Sequence, residues 1–395
     1  MKKIRITKTN IDALLIMLII FCWNAPWPLW GFSSTLGFII STLLFAFHFD
    51  HILSRKVPWL FLLLAVFPVF ILIPSIRGGQ FSNFIYVAIY MVCFSLPNTS
   101  LEKALRWTTK ALAYIILFSL PLWLFHVFVH ELPIYSSLDI TGIKGAQTYM
   151  NNHIFFVENY LVPKTRFYSV FDEPGLLGTL AAFILFGNRY NLRKWENLII
   201  FLGTLFTYST AFYVLTGLGV ALIYIKSPKK ILLFSALFSA IVGAALFYLK
   251  DNKTFQDNVV YRFSENGVDG QLETRSSFYV NKAVEELFQT NDFVFGLGKK
   301  EIQDRKLTEG ASYKNFLLQY GIVGFVVLLL IYITLLRGKY TKETISLLII
   351  FTASFLQRPG AWTSWEMLLF CCIASALITG KKQQKSPIAI EEPSQ

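Results

Sequence analysis

The run Asn197-Leu-Ile-Ile-Phe-Leu-Gly-Thr-Leu-Phe-Thr-Tyr-Ser-Thr-Ala-Phe-Tyr-Val-Leu-Thr-Gly-Leu-Gly-Val-Ala-Leu-Ile-Tyr-Ile225 contains no charged residue. A membrane span needs about 20 apolar residues, so this run is too long for one span and too short for two comfortable ones. The charges at its ends decide between them. Arg189, Arg193 and Lys194 precede it, and Lys226, Lys229 and Lys230 follow it. Positive clusters mark the cytoplasmic side of a membrane, so both ends lie on that side. The run is therefore expected to be a tight hairpin of two short helices. Its turn falls near Tyr208-Ser-Thr210, small polar residues that satisfy their own backbone.

The rest of the chain fits around this hairpin. Of its 395 residues, 54% are hydrophobic and only 15% charged, whereas soluble domains are about a quarter charged. Candidate spans fall near 12–30, 34–50, 57–74, 81–97, 109–129, 174–187, 231–249, 315–336, 343–356 and 362–379. With the hairpin they make an all-α polytopic membrane protein, one integral domain over 1–395 with about 12 transmembrane helices and both termini cytoplasmic. The first apolar run carries a basic leader, then Trp23 and Trp27, and has no small-residue cleavage site. It is expected to remain as a helix. The net charge of +12 would suggest nucleic acid in a soluble protein. Here it is distributed as an inner belt, and no nucleic-acid partner is expected. Cys22, Cys93, Cys371 and Cys372 all lie in apolar runs and read as core residues.

Two polar stretches, about 131–168 and 250–312, fall on the outer side. The first delivers the chain into Arg166-Phe-Tyr-Ser-Val-Phe-Asp-Glu-Pro-Gly-Leu-Leu-Gly178. This sets an arginine and two carboxylates, Asp172 and Glu173, before an apolar helix. Charge retained at a bilayer surface points to function. Glu173 before Pro174 is also how a helix starts, so cap and functional group remain open for it. The aromatic density of this loop (Tyr149, Phe155, Phe156, Phe167, Tyr168, Phe171) fits either a loop lying on the bundle or rings that stack on sugars. In the second loop, Thr274–Gln289 reads as an amphipathic helix with Phe278, Val284, Leu287 and Phe288 on one face. Arg275 opens its first turn. His48, His51, His126 and His130 lie near span ends and read as interfacial, and no ligand spacing suggests a metal.

Three matches together resemble the bacterial O-antigen polymerase and ligase superfamily. They are Arg166 to Gly178; Thr274-Arg275 followed by Phe295-Gly-Leu-Gly298; and Ser312-Tyr-Lys-Asn-Phe-Leu-Leu-Gln-Tyr-Gly-Ile-Val-Gly324 opening a span. The resemblance implies a metal-independent glycosyl transfer without cofactor, on the outer face of the bacterial cytoplasmic membrane. In it, one polyprenyl-diphosphate-linked oligosaccharide is passed onto another. Arg166 and Arg275 would clamp the diphosphate, since a guanidinium matches phosphate oxygens in a bidentate way. Glu173 and His153 are the candidate acid/base residues, with Asp172, Tyr313 and Asn315 as further substrate contacts. Membrane lipids, a chain-length regulator and a flippase are the implied partners. The ligase type carries a histidine before the Ser312 span, and none stands here. A flippase of lipid-linked sugars, the remaining alternative, should place charges along a central path and keep its outer loops short.

Overall fold

The computed structural model describes residues 7–27, 29, 31–76, 84–139, 149–159, 162, 164–227, 277–307, 313–357 and 364–385, with isolated positions between 229 and 243. The chain is mostly helical. In order run α1 (Lys8–Trp23), α2 (Ser33–Phe47), α3 (Trp59–Ile76), α4 (Phe84–Ser95) and α5 (Asn98–Phe128). After a small sheet come α6 (Pro174–Gly187), α7 (Trp195–Leu205), α8 (Thr210–Tyr224) and α9 (Phe278–Phe288), then α10 (Tyr313–Leu335), α11 (Lys342–Gln357) and α12 (Ser364–Lys385). By length and composition α3, α5 and α10 can each cross a membrane. Several shorter apolar helices accompany them. Large apolar side chains such as Leu60, Leu64 and Phe118 stand outward, as contact with lipid requires. The candidate span 231–249 lies almost wholly outside the described residues, and Arg275 lies outside them too.

Helix α6 is the central pillar. Every residue in it except Leu176 is buried, the condition of a helix that is apolar all round. Helices α7 and α8 flank it, Phe183 stacks on Phe351 of α11 with ring centroids 4.0 Å apart, and Gly187 abuts Ile373 of α12. A second packing unit joins α5 to α1, α7 and α12.

The uncharged run breaks where the sequence places its turn. α7 ends at Leu205, and α8 begins after Ser209, whose Oγ accepts the Phe212 amide. The Ser209 amide in turn donates to Thr207 Oγ1. The two helices do not lie side by side as a plain hairpin; α8 packs chiefly on α6, and α7 chiefly on α5 with α6 as its second neighbour. Helices α6 and α8 run parallel, because Gly178 lies against Ser209 and Phe212 at one end while Tyr224 Oη donates to the Arg189 carbonyl at the other.

The first outer loop departs from an all-α fold. Ser136–Asp139 (β1), Tyr149–Asn152 (β2) and Val157–Asn159 (β3) form an antiparallel sheet in which Asn151 faces Glu158. Of the two readings of the loop aromatics, most of the rings take the one in which they lie on the bundle, while Phe155 stays exposed. Phe156, Phe167, Tyr168 and Phe171 are buried, and Phe167 packs on Trp123 at 5.3 Å. These rings fasten the loop to the bundle.

One further expectation changes. Helix α9 buries Val280, Ala283, Val284 and Leu287 against Ile302, Leu317 and Leu318, whereas Phe278 and Phe288 face outward with Tyr279. The apolar stripe is therefore rotated from the one expected. The four histidines near span ends divide: His48 and His126 are buried in the fold, whereas His51 and His130 are exposed. His48 joins Asp12, which also accepts from Ser100, so one buried carboxylate ties α1 and α5 to the end of α2. All four cysteines are free and buried.

Candidate functional site

The chain enters α6 through a segment fixed by hydrogen bonds on both sides. Val157 donates to the Ser169 carbonyl, Trp27 to that of Val170, and Phe167 to that of Phe206. Trp123 Nε1 donates to the Lys164 carbonyl at 3.1 Å, and the Ser119 and Ser169 hydroxyls meet at 2.7 Å. This brings Arg166 over the α7–α8 turn. Its Nε donates to the Thr207 carbonyl at 3.0 Å and an Nη to that of Tyr208 at 3.3 Å.

Those carbonyls follow the end of α7, where the helix dipole is negative, so Arg166 serves structurally as a C-terminal cap. Both of these acceptors are neutral backbone carbonyls. α7 has 11 residues, a length of ~16 Å at 1.5 Å per residue. This is shorter than the ~30 Å hydrocarbon core of a bilayer. Because α6 and α8 are parallel, with Gly178 of α6 against Ser209 at the start of α8, both N-termini lie at the same end of the pair. Helix N-termini favour anions.

Glu173 occupies the N-cap position of α6 with extended backbone, yet its side chain makes no capping hydrogen bond. The start of the helix is made by backbone and by Pro174 in its first turn. Asp172 and Glu173 are both half-buried. Arg166 and Asp172 both act on the buried phenol of Tyr168, which burial first of all pushes well above its ordinary value. Tyr313 and Asn315 open α10. Between them Lys314 reaches Asn281 of α9 at 2.6 Å, so this turn belongs to the platform of the second loop.

A second cluster was not legible in the sequence. His153 and Glu158 leave the β2–β3 hairpin on the face of Asn151, and His126 approaches from the last turn of α5. His153 Nε2 lies 3.3 Å from Glu158 Oε2, and His126 Nε2 lies 3.7 Å from the same oxygen. Lys164 Nζ stands 3.7 Å from the other carboxylate oxygen and 2.8 Å from Glu131 Oε1. These groups line a cavity of about 390 Å³ with Leu132 and Ile134, within the usual size range of ligand pockets.

Burial alone would raise the Glu158 carboxyl. The His153 hydrogen bond and the charges of Lys164 and the two rings more than offset it, holding the group below its ordinary value. The signal available in the sequence was hairpin parity. Once β2 and β3 pair, alternation puts Asn151, His153 and Glu158 on one face. Nothing local announced His126.

His126, His153 and Glu158 offer ligand atoms within 4.8 Å of one another, the number of protein ligands found in catalytic zinc sites. The hydrogen bonds around them oppose that use. His153 Nδ1 faces the Pro133 carbonyl at 3.1 Å, which suits a metal-binding imidazole. His126 is turned the other way. Its Nδ1 accepts the Leu132 amide at 2.8 Å, so in the neutral ring the proton sits on Nε2, the atom aimed at the cluster. A metal would need that lone pair.

Compared with known protein families, curated proteins and solved structures, the chain gives no significant match to any.

Proposed function

We propose that the chain is a polymerase of lipid-linked oligosaccharide repeat units, acting on the outer face of the bacterial cytoplasmic membrane. In this reading about 12 helices cross the bilayer, both termini are cytoplasmic, and the β-sheet loop and α9 lie outside. The acceptor hydroxyl oxygen attacks the anomeric carbon of the donor glycan. The anomeric C–O bond breaks, and its electron pair leaves on the polyprenyl diphosphate. Glu173 takes the hydroxyl proton.

The observation that carries this reading is the position of Arg166, set at the level where the parallel helices α6 and α8 begin. A cation and two helix N-termini together favour the negative charge that develops on a leaving diphosphate. The half-buried Glu173 holds the N-cap position of α6, and its carboxylate makes no capping bond there. The reading also rests on the resemblance of the Arg166–Gly178 and Ser312–Gly324 stretches to the O-antigen polymerases. The missing histidine before Tyr313 favours polymerase over ligase.

The test is to incubate the purified protein with a polyprenyl-diphosphate-linked repeat unit and resolve the products by size. A ladder spaced by one repeat unit is the expected result. Transfer of a single unit to a lipid-A-type acceptor without a ladder would instead indicate a ligase. Unchanged substrate would refute both.

A further inference from the structure

We propose that the cavity between the end of α5 and the β-sheet is a subsite for an uncharged sugar of the lipid-linked glycan, held by one hydroxyl bridging His126 Nε2–H and the Glu158 carboxylate. The inference rests on the polymerase reading for the identity of the glycan, but its geometry is independent of that reading.

The chemistry of the lining selects the ligand. The His126 ring is buried, its Nδ1 is fixed as an acceptor by the Leu132 amide, and its Nε2 has no hydrogen-bond partner in the cavity wall. A buried donor without a partner costs about 1–3 kcal/mol, so a group that accepts its proton is favoured there. Glu158 Oε2, 3.7 Å away, is too far to accept it well. The carboxylate needs donors instead.

A hydroxyl answers both demands at once, since its oxygen accepts from His126 while its hydrogen goes to Glu158. A metal cation answers only the second and meets the Lys164 ammonium besides. A phosphate answers only the first and is repelled by Glu158 and Glu131. His153, which faces the Pro133 carbonyl on one side and Glu158 on the other, acts as a positioning residue for the carboxylate.

The backbone supports this assignment. Ile154 has φ 74°, a strained conformation for a β-branched residue, and it forms the turn that presents His153. Strain of this kind clusters at functional sites. The subsite also adjoins the diphosphate site proposed for Arg166. Lys164, on the cavity rim, is two residues from Arg166, so their Cα atoms are at most ~7 Å apart.

The experiment is saturation-transfer NMR on the full-length protein in detergent, with the methyl glycosides of glucose, galactose and N-acetylglucosamine as probes. At least one should show transfer with the wild type and bind about tenfold more weakly to Glu158→Gln. Ile134→Trp, at an exposed position on the cavity wall, fills the space without touching the cluster and should abolish transfer even if Glu158→Gln folds poorly. Arg166→Lys should leave glycoside binding intact. Glu158→Gln and Ile134→Trp should each raise the KM of polymerisation more than they lower kcat.

Absence of transfer with the wild type, or unchanged transfer with Ile134→Trp, overturns the subsite. Zinc binding at micromolar level that is lost in His126→Phe overturns it in favour of a metal. If glycosides bind as stated but no ladder forms, the polymerase reading fails and the subsite stands. If the ladder forms while the variants behave as wild type, the subsite fails alone.

Discussion

Leu297 donates its amide to the Leu318 carbonyl at 2.7 Å, an acceptor that an unbroken helix would give to the residue four places on. The helix is broken there because Gly321 has φ 63° and ψ −169°. The backbone of Val294–Gly296 lies so close that a Cβ at Gly321 would clash with the Val294 carbonyl. Two stretches that carried the family resemblance, Phe295–Gly298 and Ser312–Gly324, thus dock backbone to backbone. Gly321→Ala and Gly296→Ala should each cost more than the ~1–3 kcal/mol of backbone strain alone, seen as loss of folded protein from the membrane. Gly338, at φ 72° with open space around it, is the control. Gly338→Ala carries the strain without the clash and should accumulate better than either.

Arg166→Lys should lose most polymer formation while the protein still accumulates. An ammonium satisfies one carbonyl of the turn but cannot present a bidentate fork to phosphate. Arg166→Ala is the poorer test, because it also leaves the Thr207 and Tyr208 carbonyls short of a donor. Wild-type polymer yield from the lysine variant would reduce Arg166 to the cap of α7.

Glu173→Gln keeps length and shape and removes charge and basicity. Polymer formation is expected to fall on the order of 100-fold, as for loss of an acid/base group. The isosteric change is expected to leave the melting temperature in detergent close to wild type, so that lost activity is read apart from lost fold. Full activity in this variant would exclude the role of base.

Ile154→Gly removes the side-chain clash at positive φ and should stabilise the β2–β3 turn by about 1 kcal/mol. The same change loosens His153, so polymerisation should slow while thermal stability rises. Lower stability with normal activity would show that the turn has no bearing on the cluster.

Glu158 supplies a pH signature. Its folded value lies below the ordinary 4.5, so its contribution to stability is complete above about that pH. The contribution is lost as pH falls through the lower, folded value. The melting temperature of the wild type should therefore exceed that of Glu158→Gln above pH ~4.5, and the margin should shrink as pH falls further. A margin that does not shrink there would contradict the pairing with His153 and Lys164.

The sequence by itself determined the helices and the break at Tyr208–Thr210, because apolar runs and the charges that bracket them are local properties. It also determined the approach of Arg166 to the start of α6, since those residues are neighbours in the chain. The burial of the cysteines followed from the same apolar runs. What only the tertiary structure decided is which faces meet. The loop aromatics could have faced sugars or the bundle, and packing against Trp123 chose the bundle. Phe278 and Phe288 fell on the outward side of α9 because Val280 and Ala283 found the start of α10. His126 joined His153 and Glu158 across a strand pairing and a helix end, and one amide, that of Leu132, fixed which of its nitrogens bears the proton. Periodicity describes the faces of one element; a site made from three elements depends on their docking, and docking is set by long-range contacts that no local pattern records.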